Sequence, residues 1–394
     1  MPSFHIFNPG HETAVLLGSL NYTAPANVAV MTKDLAFLPL WYADPDDLIY
    51  IGKEEKTDFI NSLPKELGGF ASPFIYGQTY TEEYTAMPWG LSPHILHFIG
   101  NINKKEKIVL RTPEWKTEYR PLTGRQSTIR CHQRLFDRLQ GHLLPFPPVE
   151  VNSIAGVEEY LLKAKLPTVL KTPFSSSGRG VFWLRDSILT NAERNWIKGA
   201  IQKQSFVSLE QGLDKTLDFA MEFYSNSRGE ISYEGLSVFD TEQKGAYNGN
   251  VLASQTSLLK GLESIISEDK LIEVKKAVTE TLQAVYSHIY KGYLGVDMLL
   301  YKQDDQIAIH PCVEVNMRFT MGLVALRLFE RYIHPEAKGN FHITFDKEPG
   351  MALKKHKQLK EQHPLHISTK KIKNGYLSLC PVSEQTHYRA FIII

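Results

Sequence analysis

Cysteine is scarce in this sequence: its 394 residues include three, Cys131, Cys312 and Cys380. They form no Cys-x-x-Cys pair and no Cys/His spacing typical of zinc sites, so we predict three reduced thiols and exclude a disulfide scaffold. No apolar run approaches the about 20 residues that a membrane helix needs, and the N-terminus does not resemble a signal peptide. The sequence therefore predicts a cytoplasmic protein without a membrane partner.

An excess of charge of either sign is also missing, because 44 Lys and Arg residues face 43 Asp and Glu residues. Nucleic-acid affinity comes mainly from clustered Lys and Arg, so this balance argues against a nucleic-acid partner. Hydrophobic residues make up 43% of the chain, which is ordinary for a globular protein and excludes a disordered chain. At roughly 150 residues per domain, the length allows about two or three domains.

The first third of the chain alternates β-type runs with helical stretches. The runs lie at residues 4–7, 48–52 and 108–110. Strands that alternate with helices in this way predict a parallel, doubly wound sheet. A segment rich in Pro, Gly and Arg at residues 111–130 marks the end of this region.

The remainder of the chain has an α+β pattern. Apolar residues at helical spacing predict helices at residues 132–143, 154–164 and 268–290. Two β-type runs, 168–171 and 181–184, flank a tight turn of small residues and predict a hairpin. Further strands are predicted at residues 206–210, 219–224, 231–239, 295–301, 307–315, 375–379 and 388–394.

A lysine followed by a small-residue loop lies inside the predicted hairpin. Lys171 closes the first strand, and the loop that follows contains Ser175, three further small residues and Gly180. Glycine and serine let backbone N–H groups approach phosphates closely, and a lysine adds a point charge for phosphate oxygens. The spacing is not that of a Walker loop. The alternative is a mobile hairpin tip with a solvated lysine.

A second pattern pairs carboxylates with an amide on neighbouring strands. Glu314, Asn316 and Arg318 alternate along one predicted strand, so they share one face, and Asp297 lies on the preceding strand. Carboxylate and amide oxygens suit Mg²⁺, which binds through carboxylates and substrate phosphates, and Arg318 could clamp a phosphoryl oxygen. The alternative is an exposed polar strand face.

A third pattern joins a strand that ends in Glu210 to a short linker through Gln211 and Leu213. Such a linker can present backbone amides to an adenine edge, and Asp218 or Glu222, a few residues later, can hold ribose hydroxyls. The alternative is an ordinary loop between strands.

These three patterns, in this order, resemble the ATP-grasp superfamily over about residues 130–325. The resemblance is to the carboxylate–amine ligase type, and it implies an α/β and α+β fold. A Rossmann-like pre-ATP-grasp domain would precede a two-subdomain ATP-grasp fold. The implied limits are residues 1–125 for the first domain, 126–200 and 201–345 for the two subdomains, and 346–394 for a C-terminal extension that packs on the core.

The resemblance also implies residue roles. The family places a basic residue ahead of the helix that precedes the lysine strand, eleven positions before the residue that ends it, and Arg130 to Gly141 fits that spacing. The ribose carboxylate is more often Glu in the family, which leaves Glu222 as the substitute for Asp218. The implied roles are Arg130 and Lys171 for the α and β phosphates; Ser175, Ser176, Ser177, Gly178 and Gly180 for the lid; Glu210, Gln211 and Leu213 for adenine; Asp218 for ribose; Asp297, Glu314 and Asn316 for Mg²⁺ or Mn²⁺; and Arg318, with Lys171, for the transferred phosphoryl group.

The activity that the resemblance implies is an ADP-forming ligase that makes C–N bonds. A small-molecule carboxylate would be activated by ATP as an acyl-phosphate, and an amine would displace the phosphate. The alternatives are a nucleotide-binding regulatory module without catalysis and a kinase-like phosphotransferase. A homodimer is a further expectation from the family.

His11 and Glu12 follow the first predicted strand, at the edge of the sheet where open α/β folds bind ligands. Either side chain could bind an amine or a carboxylate of the acceptor substrate, or act as a base. The alternative is a turn that caps a helix beginning at Thr13.

Overall fold

The computed structural model describes residues 1–53, 58–139, 144–175, 180–241 and 247–394. They form two compact units. The first comprises Met1–Trp115, Asn248–Leu258 and Phe319–Ile394, and the second comprises Lys116–Tyr247 and Leu259–Arg318. The four domain limits given by the resemblance stay a prediction.

The described residues include strands throughout the chain. They are β1 (Ser3–Ile6), β2 (Leu48–Tyr50), β3 (Ser72–Pro73), β4 (Thr79–Pro88), β5 (Lys107–Arg111), β6 (Val149–Val151), β7 (Thr168–Lys171), β8 (Val181–Leu184), β9 (Val207–Gln211), β10 (Asp214–Ser225), β11 (Ile231–Thr241), β12 (Tyr247–Leu252), β13 (Gly292–Gln303), β14 (Gln306–Asn316), β15 (Gly339–Phe345), β16 (His366–Ser368), β17 (Lys371–Asn374), β18 (Tyr376–Ser378) and β19 (Tyr388–Ile393).

Helices connect and cover these strands. They are α1 (His11–Leu17), α2 (Ala26–Asp34), α3 (Asp58–Ser62), α4 (Pro93–Lys105), α5 (Tyr119–Thr123), α6 (Arg125–Arg138), α7 (Ile154–Lys163), α8 (Asn191–Gln204), α9 (Gln255–Glu263), α10 (Glu268–Val285), α11 (Met321–Tyr332) and α12 (Met351–Gln362). Among the described residues, none of these helices has the length and apolar character needed to cross a membrane.

The first unit contains the predicted parallel sheet, in the order β3-β2-β1-β4-β5 with parallel neighbours throughout. Ile95, Ile99 and Ile102 of α4 recur at helical spacing and pack with Phe4 and Ile6 of β1 in one core. The chain runs from β1 outward to β3 and then returns to add β4 on the other side of β1. This reversal makes a topological switch point beside β1.

The C-terminal strands also fold within the first unit. Strands β12, β15, β19 and β18 form neighbouring antiparallel pairs. Phe391 and Ile392 of β19 are buried, and the Trp41 indole Nε1 donates a hydrogen bond to the Leu379 main-chain oxygen at 2.7 Å. Both tail strands predicted from the sequence are present.

The second unit has two antiparallel sheets. One has the order β6-β9-β7-β8 and includes the predicted hairpin, and helices α7 and α8 supply Val157, Leu161 and Ile197 to its core. The other has the order β14-β13-β10-β11, and helices α6 and α10 pack against it. The predicted α/β and α+β fold class is therefore confirmed.

Two helix boundaries predicted from the sequence are wrong. Helix α6 begins at Arg125 rather than at residue 132, because its inner face opens with the buried polar side chains of Arg125, Ser127 and Thr128 instead of apolar ones. Helix α10 ends at Val285 rather than at residue 290. Tyr286 and Tyr290, which complete the apolar pattern, are buried beyond the end of the helix.

The three cysteines are buried and free in the structure, as the sequence predicts for reduced thiols. Burial raises the pKa of Cys131 to about 12, and burial also raises the pKa of Cys312 well above its usual value. Both thiols therefore stay protonated at neutral pH and behave as small apolar side chains.

Candidate active site

The predicted metal ligands meet on one face of the second sheet. In the antiparallel ladder of β13 and β14, Asp297 lies opposite Glu314, and Gly295 lies opposite Asn316. Directly opposed and alternate residues of such a ladder share a face. Asn316 Nδ2 donates a hydrogen bond to Asp297 Oδ2 at 3.0 Å, and the Asn316 side chain is buried. The structure thus brings the three oxygen-bearing side chains together.

Glu222 joins this cluster from the next strand. It lies on β10 opposite Gly295, so it points to the same face, and it is only 2% exposed. The Ser237 hydroxyl of β11 donates a hydrogen bond to Glu222 Oε1 at 3.3 Å. The cluster therefore contains three carboxylates on adjacent strands, one more than the predicted metal set.

Packing three carboxylates together changes their protonation. Burial, followed by the nearby charges of Glu314 and Glu222, raises the pKa of Asp297 to about 8, although the charge of Arg318 and the hydrogen bond from Asn316 oppose the shift. An excess of anionic charge in a buried site is the electrostatic condition that a bound cation relieves.

These residues fit a divalent cation that binds together with phosphates. Within the described residues, no three His, Cys, Asp or Glu side chains are arranged to hold a metal ion by themselves. Mg²⁺ rarely needs such a cage, because it keeps several waters and binds through one or two carboxylates plus substrate phosphates. Asp297, Glu314 and Asn316 supply that kind of partial ligand set.

Arg125 is a basic residue that the sequence reasoning did not place in the metal or phosphate site. Its side chain is buried, its Nη2 lies 3.3 Å from Glu314 Oε1, and its Nε donates a hydrogen bond to the Thr172 main-chain oxygen at 3.2 Å. Arg125 therefore connects the carboxylate cluster to the residue that follows Lys171. Charge-assisted hydrogen bonds of this kind hold a carboxylate in a fixed orientation.

Arg130, the predicted phosphate contact, lies inside helix α6 rather than ahead of it, and it is exposed. The Thr128 hydroxyl of α6 accepts a hydrogen bond from the Val315 N–H at 3.1 Å, so the Thr128 face of the helix lies against β14. Arg130 is two residues further along, about 200° around the helix. Its role as a phosphate contact stays a prediction, while Arg125 is the basic residue that α6 brings to the cluster.

Lys171 is buried at the end of β7 and forms an ion pair with Glu210 of β9, and both side chains are at most 12% exposed. Two further basic groups lie near it: the rings of His132 and His310 are 4.6 Å apart. Burial lowers the pKa of His132 to about 4, and burial also lowers the pKa of His310. Both histidines are therefore neutral at physiological pH, and Lys171 supplies the positive charge.

The base of the predicted lid is closed by its own backbone. The Thr172 N–H donates a hydrogen bond to the Gly180 main-chain oxygen at 2.9 Å. A Cβ on Gly180 would lie 2.2 Å from Thr172 Oγ1 and 2.4 Å from Ser175 Cβ, so only glycine fits. Ser176, Ser177 and Gly178, the other predicted lid residues, lie outside the described residues.

We expect Gly180→Ala to destabilise the protein by about 1–3 kcal/mol, because the added methyl group overpacks the loop base. Gly199→Ala is the matched control: nothing lies within 4 Å of its added Cβ, and it lies inside helix α8. Alanine there should stabilise by about 0.5–1 kcal/mol. Urea unfolding of both variants measures the difference, and equal effects would contradict the crowding.

The predicted adenine hinge lies between β9 and β10. Gln211 ends β9, the Gly212 N–H donates a hydrogen bond to the Pro167 main-chain oxygen at 2.7 Å, and Leu213 leads into β10. On β10, Asp218 forms an ion pair with Lys215 and accepts a hydrogen bond from the Thr241 hydroxyl at 2.7 Å. Glu222 is already part of the carboxylate cluster, so the ribose role stays a prediction for Asp218.

No protein-family model and no curated protein sequence matches the chain. Solved structures, in contrast, are similar to the whole of this chain and to most of their own length. A biotin carboxylase from Campylobacter jejuni, solved as a β-γ-ATP complex, has a TM-score of 0.53 at 10% identity and covers 100% of this chain and 87% of its own. The biotin carboxylase domain dimer of a Hydrogenobacter thermophilus 2-oxoglutarate carboxylase, solved with magnesium ADP, ADP and bicarbonate, has a TM-score of 0.51 at 10% identity and covers 100% and 86%.

An N5-carboxyaminoimidazole synthetase from Staphylococcus aureus, solved with ADP, is also similar, with a TM-score of 0.48, 10% identity and coverage of 100% and 93%. At 10% identity the similarity concerns the fold alone. The comparison of folds rests on the two biotin carboxylase structures, whose TM-scores are 0.53 and 0.51. The chain therefore has the fold of these two biotin carboxylase structures, which agrees with the fold that its motifs predict.

Proposed function

We propose that this protein is an ATP- and Mg²⁺-dependent ligase that activates a carboxylate as an acyl-phosphate for attack by an amine. The observation that carries the proposal is the carboxylate face of the second unit, where Asp297, Glu314 and Asn316 adjoin one another and Arg125 orients Glu314. The ATP-grasp fold supports it, as do the ATP complex and the magnesium ADP complex of the two similar biotin carboxylase structures.

In this proposal Asp297, Glu314 and Asn316 hold the divalent cation together with the phosphates of ATP. When bound, the cation would neutralise part of the negative charge of the phosphates. Lys171 leaves Glu210 to pair with a phosphate oxygen, and Arg318 pairs with the transferred phosphoryl group. The chain contributes positioning and charge rather than a covalent nucleophile, as phosphoryl transfer generally requires.

The reaction balances without a further reagent. The substrate carboxylate attacks the γ-phosphorus of ATP and displaces ADP, which gives an acyl-phosphate. The amine nitrogen then attacks the acyl carbon and displaces inorganic phosphate, and it loses its proton to the medium.

The cytoplasmic location and the homodimer stay predictions.

The regulatory module without catalysis is less well supported. A site that only binds nucleotide does not need three adjoining carboxylates, which are costly to bury together.

The kinase-like alternative uses the same site but leaves phosphate on the acceptor. Product analysis separates it: a ligase releases free phosphate and consumes two substrates besides ATP.

We expect ADP with Mg²⁺ to raise the unfolding temperature by several degrees, whereas Mg²⁺ alone has little effect. A ligand at one hundred times its Kd stabilises by about 2.7 kcal/mol. Glu314→Gln should remove the dependence on Mg²⁺, because one of the two carboxylates opposed across β13 and β14 is lost. Glu361→Gln, an exposed change on α12, is the matched control and should behave as wild type. A wild type that no purine nucleotide stabilises would refute the proposal.

A further inference from the structure

A cavity of about 510 Å³ lies in the first unit. The loop after β1, the loop after β2 and the start of α4 line it. These are the carboxyl ends of parallel strands beside the switch point at β1, where open α/β sheets bind ligands. The volume is within the range of small-molecule sites.

His11 lines this cavity and lacks hydrogen-bond partners. Its side chain is 1% exposed, and among the described residues neither ring nitrogen makes a hydrogen bond. The Nδ1 atom lies 3.4 Å from Glu12 Oε2 in a geometry that forms none. A buried polar group without a partner is costly and uncommon in native proteins. The imidazole is therefore available to a molecule in the cavity.

The position of His11 is fixed by its surroundings. A Cβ on Gly90 would lie 2.3 Å from His11 Cγ, so the ring packs directly on the backbone of residue 90. Asn8 holds that backbone in place: its Nδ2 donates to the Gly90 oxygen at 2.8 Å, and its Oδ1 accepts from the Gly90 N–H at 3.3 Å. The packing and these hydrogen bonds therefore hold the His11 ring in one orientation, as a binding site requires of its contact residues.

The walls of the cavity are largely apolar. Phe7, Tyr50 and Phe98 supply aromatic surface. The charged side chains among its described lining residues are Lys33 and Lys53, both exposed and basic. A ligand that complements this lining has an apolar body and an anionic group.

We infer that this cavity binds an organic acid with an apolar body the size of one or two rings, whose carboxylate accepts a hydrogen bond from His11. This inference rests on the proposed function, because such an acid would be the carboxylate substrate of the ligase. The aromatic side chains contact the ring, and Lys53 contributes long-range attraction to the carboxylate.

The test is direct binding of matched probes, measured by calorimetry without ATP. Phenylacetate and indole-3-acetate are compared with phenethylamine and tryptamine, which carry the same rings with the opposite charge. We expect each acid to bind at least about tenfold more tightly than its amine. His11→Gln should weaken binding of the acids by about tenfold, the typical effect of losing a hydrogen bond to a charged group.

His97→Gln, the same change at an exposed position of α4 outside the cavity lining, should leave the affinities unchanged. If His11→Gln does not fold, Lys53→Met replaces it and should weaken acid binding in a salt-dependent way. The wild-type imidazole nitrogen shifts of His11 should also move when phenylacetate is added. Amines that bind as tightly as the acids, or acids unaffected by either substitution, would overturn the inference.

The two proposals fail separately. Stabilisation by ADP and Mg²⁺ without preferential binding of the acids would leave the ligase proposal intact and remove this one. Binding of the acids through His11 without any nucleotide effect would refute the ligase and its use of the acid, and would leave the cavity as an acid-binding site.

Discussion

Replacing Lys171 with methionine should reduce phosphate release from ATP by about a hundredfold or more, the typical effect of removing one electrostatic contact to the reacting group. The measurement is phosphate release with an acid and amine pair that the wild type accepts. Lys171→Met also breaks a buried ion pair, because Glu210 is left without its partner. Breaking such a pair costs about 3–5 kcal/mol, so lost activity alone would not separate catalysis from folding.

The double variant Lys171→Met/Glu210→Gln separates the two effects. It removes both charges, so most of the lost stability should return in a urea titration, while phosphate release stays low. Glu210→Gln alone is the control and should retain measurable turnover, since the predicted adenine hinge acts through backbone groups. Turnover that returns together with stability would show that Lys171 acts only in folding.

Several parts of the site could be predicted from sequence because their pattern is local. Glu314 and Asn316 alternate along β14, and alternation alone places them on one face, whereas Arg318 lies two residues beyond the end of the strand. Lys171 and the small-residue loop could also be predicted, because they are adjacent in the sequence. In both cases the chemistry depends on residues within about ten positions of one another.

Other contacts join residues that are distant in sequence. Arg125 pairs with Glu314 across 189 positions, and only the packing of α6 on β14 brings them together. Glu222 enters the carboxylate cluster through strand pairing with β13, while its neighbours along β10 are apolar. No local pattern assigns either of these two residues to the carboxylate cluster.

Helix α8 and strand β4 are among the elements that the sequence analysis missed although the sequence contains information about them. Helix α8 begins with a capping box, in which Thr190 and Glu193 exchange hydrogen bonds, and that signature is readable from sequence. Strand β4 is mostly exposed until Tyr84, so its apolar alternation covers only its second half.

Helix α1 lacks a polar side-chain cap. Gly10 adopts a left-handed conformation with φ of 72° before it, so the helix begins at His11, and the start predicted at Thr13 is wrong.

The second large expected effect concerns Asp297 and pH. Because burial and the neighbouring carboxylates raise the pKa of Asp297 to about 8, the folded, metal-free protein keeps a proton that the unfolded chain releases near pH 4. The folded state therefore binds more protons between about pH 4 and pH 8, and the free energy of unfolding falls as pH rises through that window. One such proton gives a slope of about 1.4 kcal/mol per pH unit.

Asp297→Asn should remove this slope, because asparagine does not titrate. Urea titrations with chelator across the window would show the variant gaining stability over the wild type as pH rises, and the same variant should lose Mg²⁺-dependent stabilisation by ADP. Asp304→Asn, an exposed change in the turn between β13 and β14, is the matched control. If the stability difference between Asp297→Asn and wild type did not change with pH, the carboxylate cluster would not be electrostatically strained. The same three carboxylates are proposed both to retain the proton and to attract the metal. That result would therefore also mean that the cation does not bind in order to relieve repulsion among them.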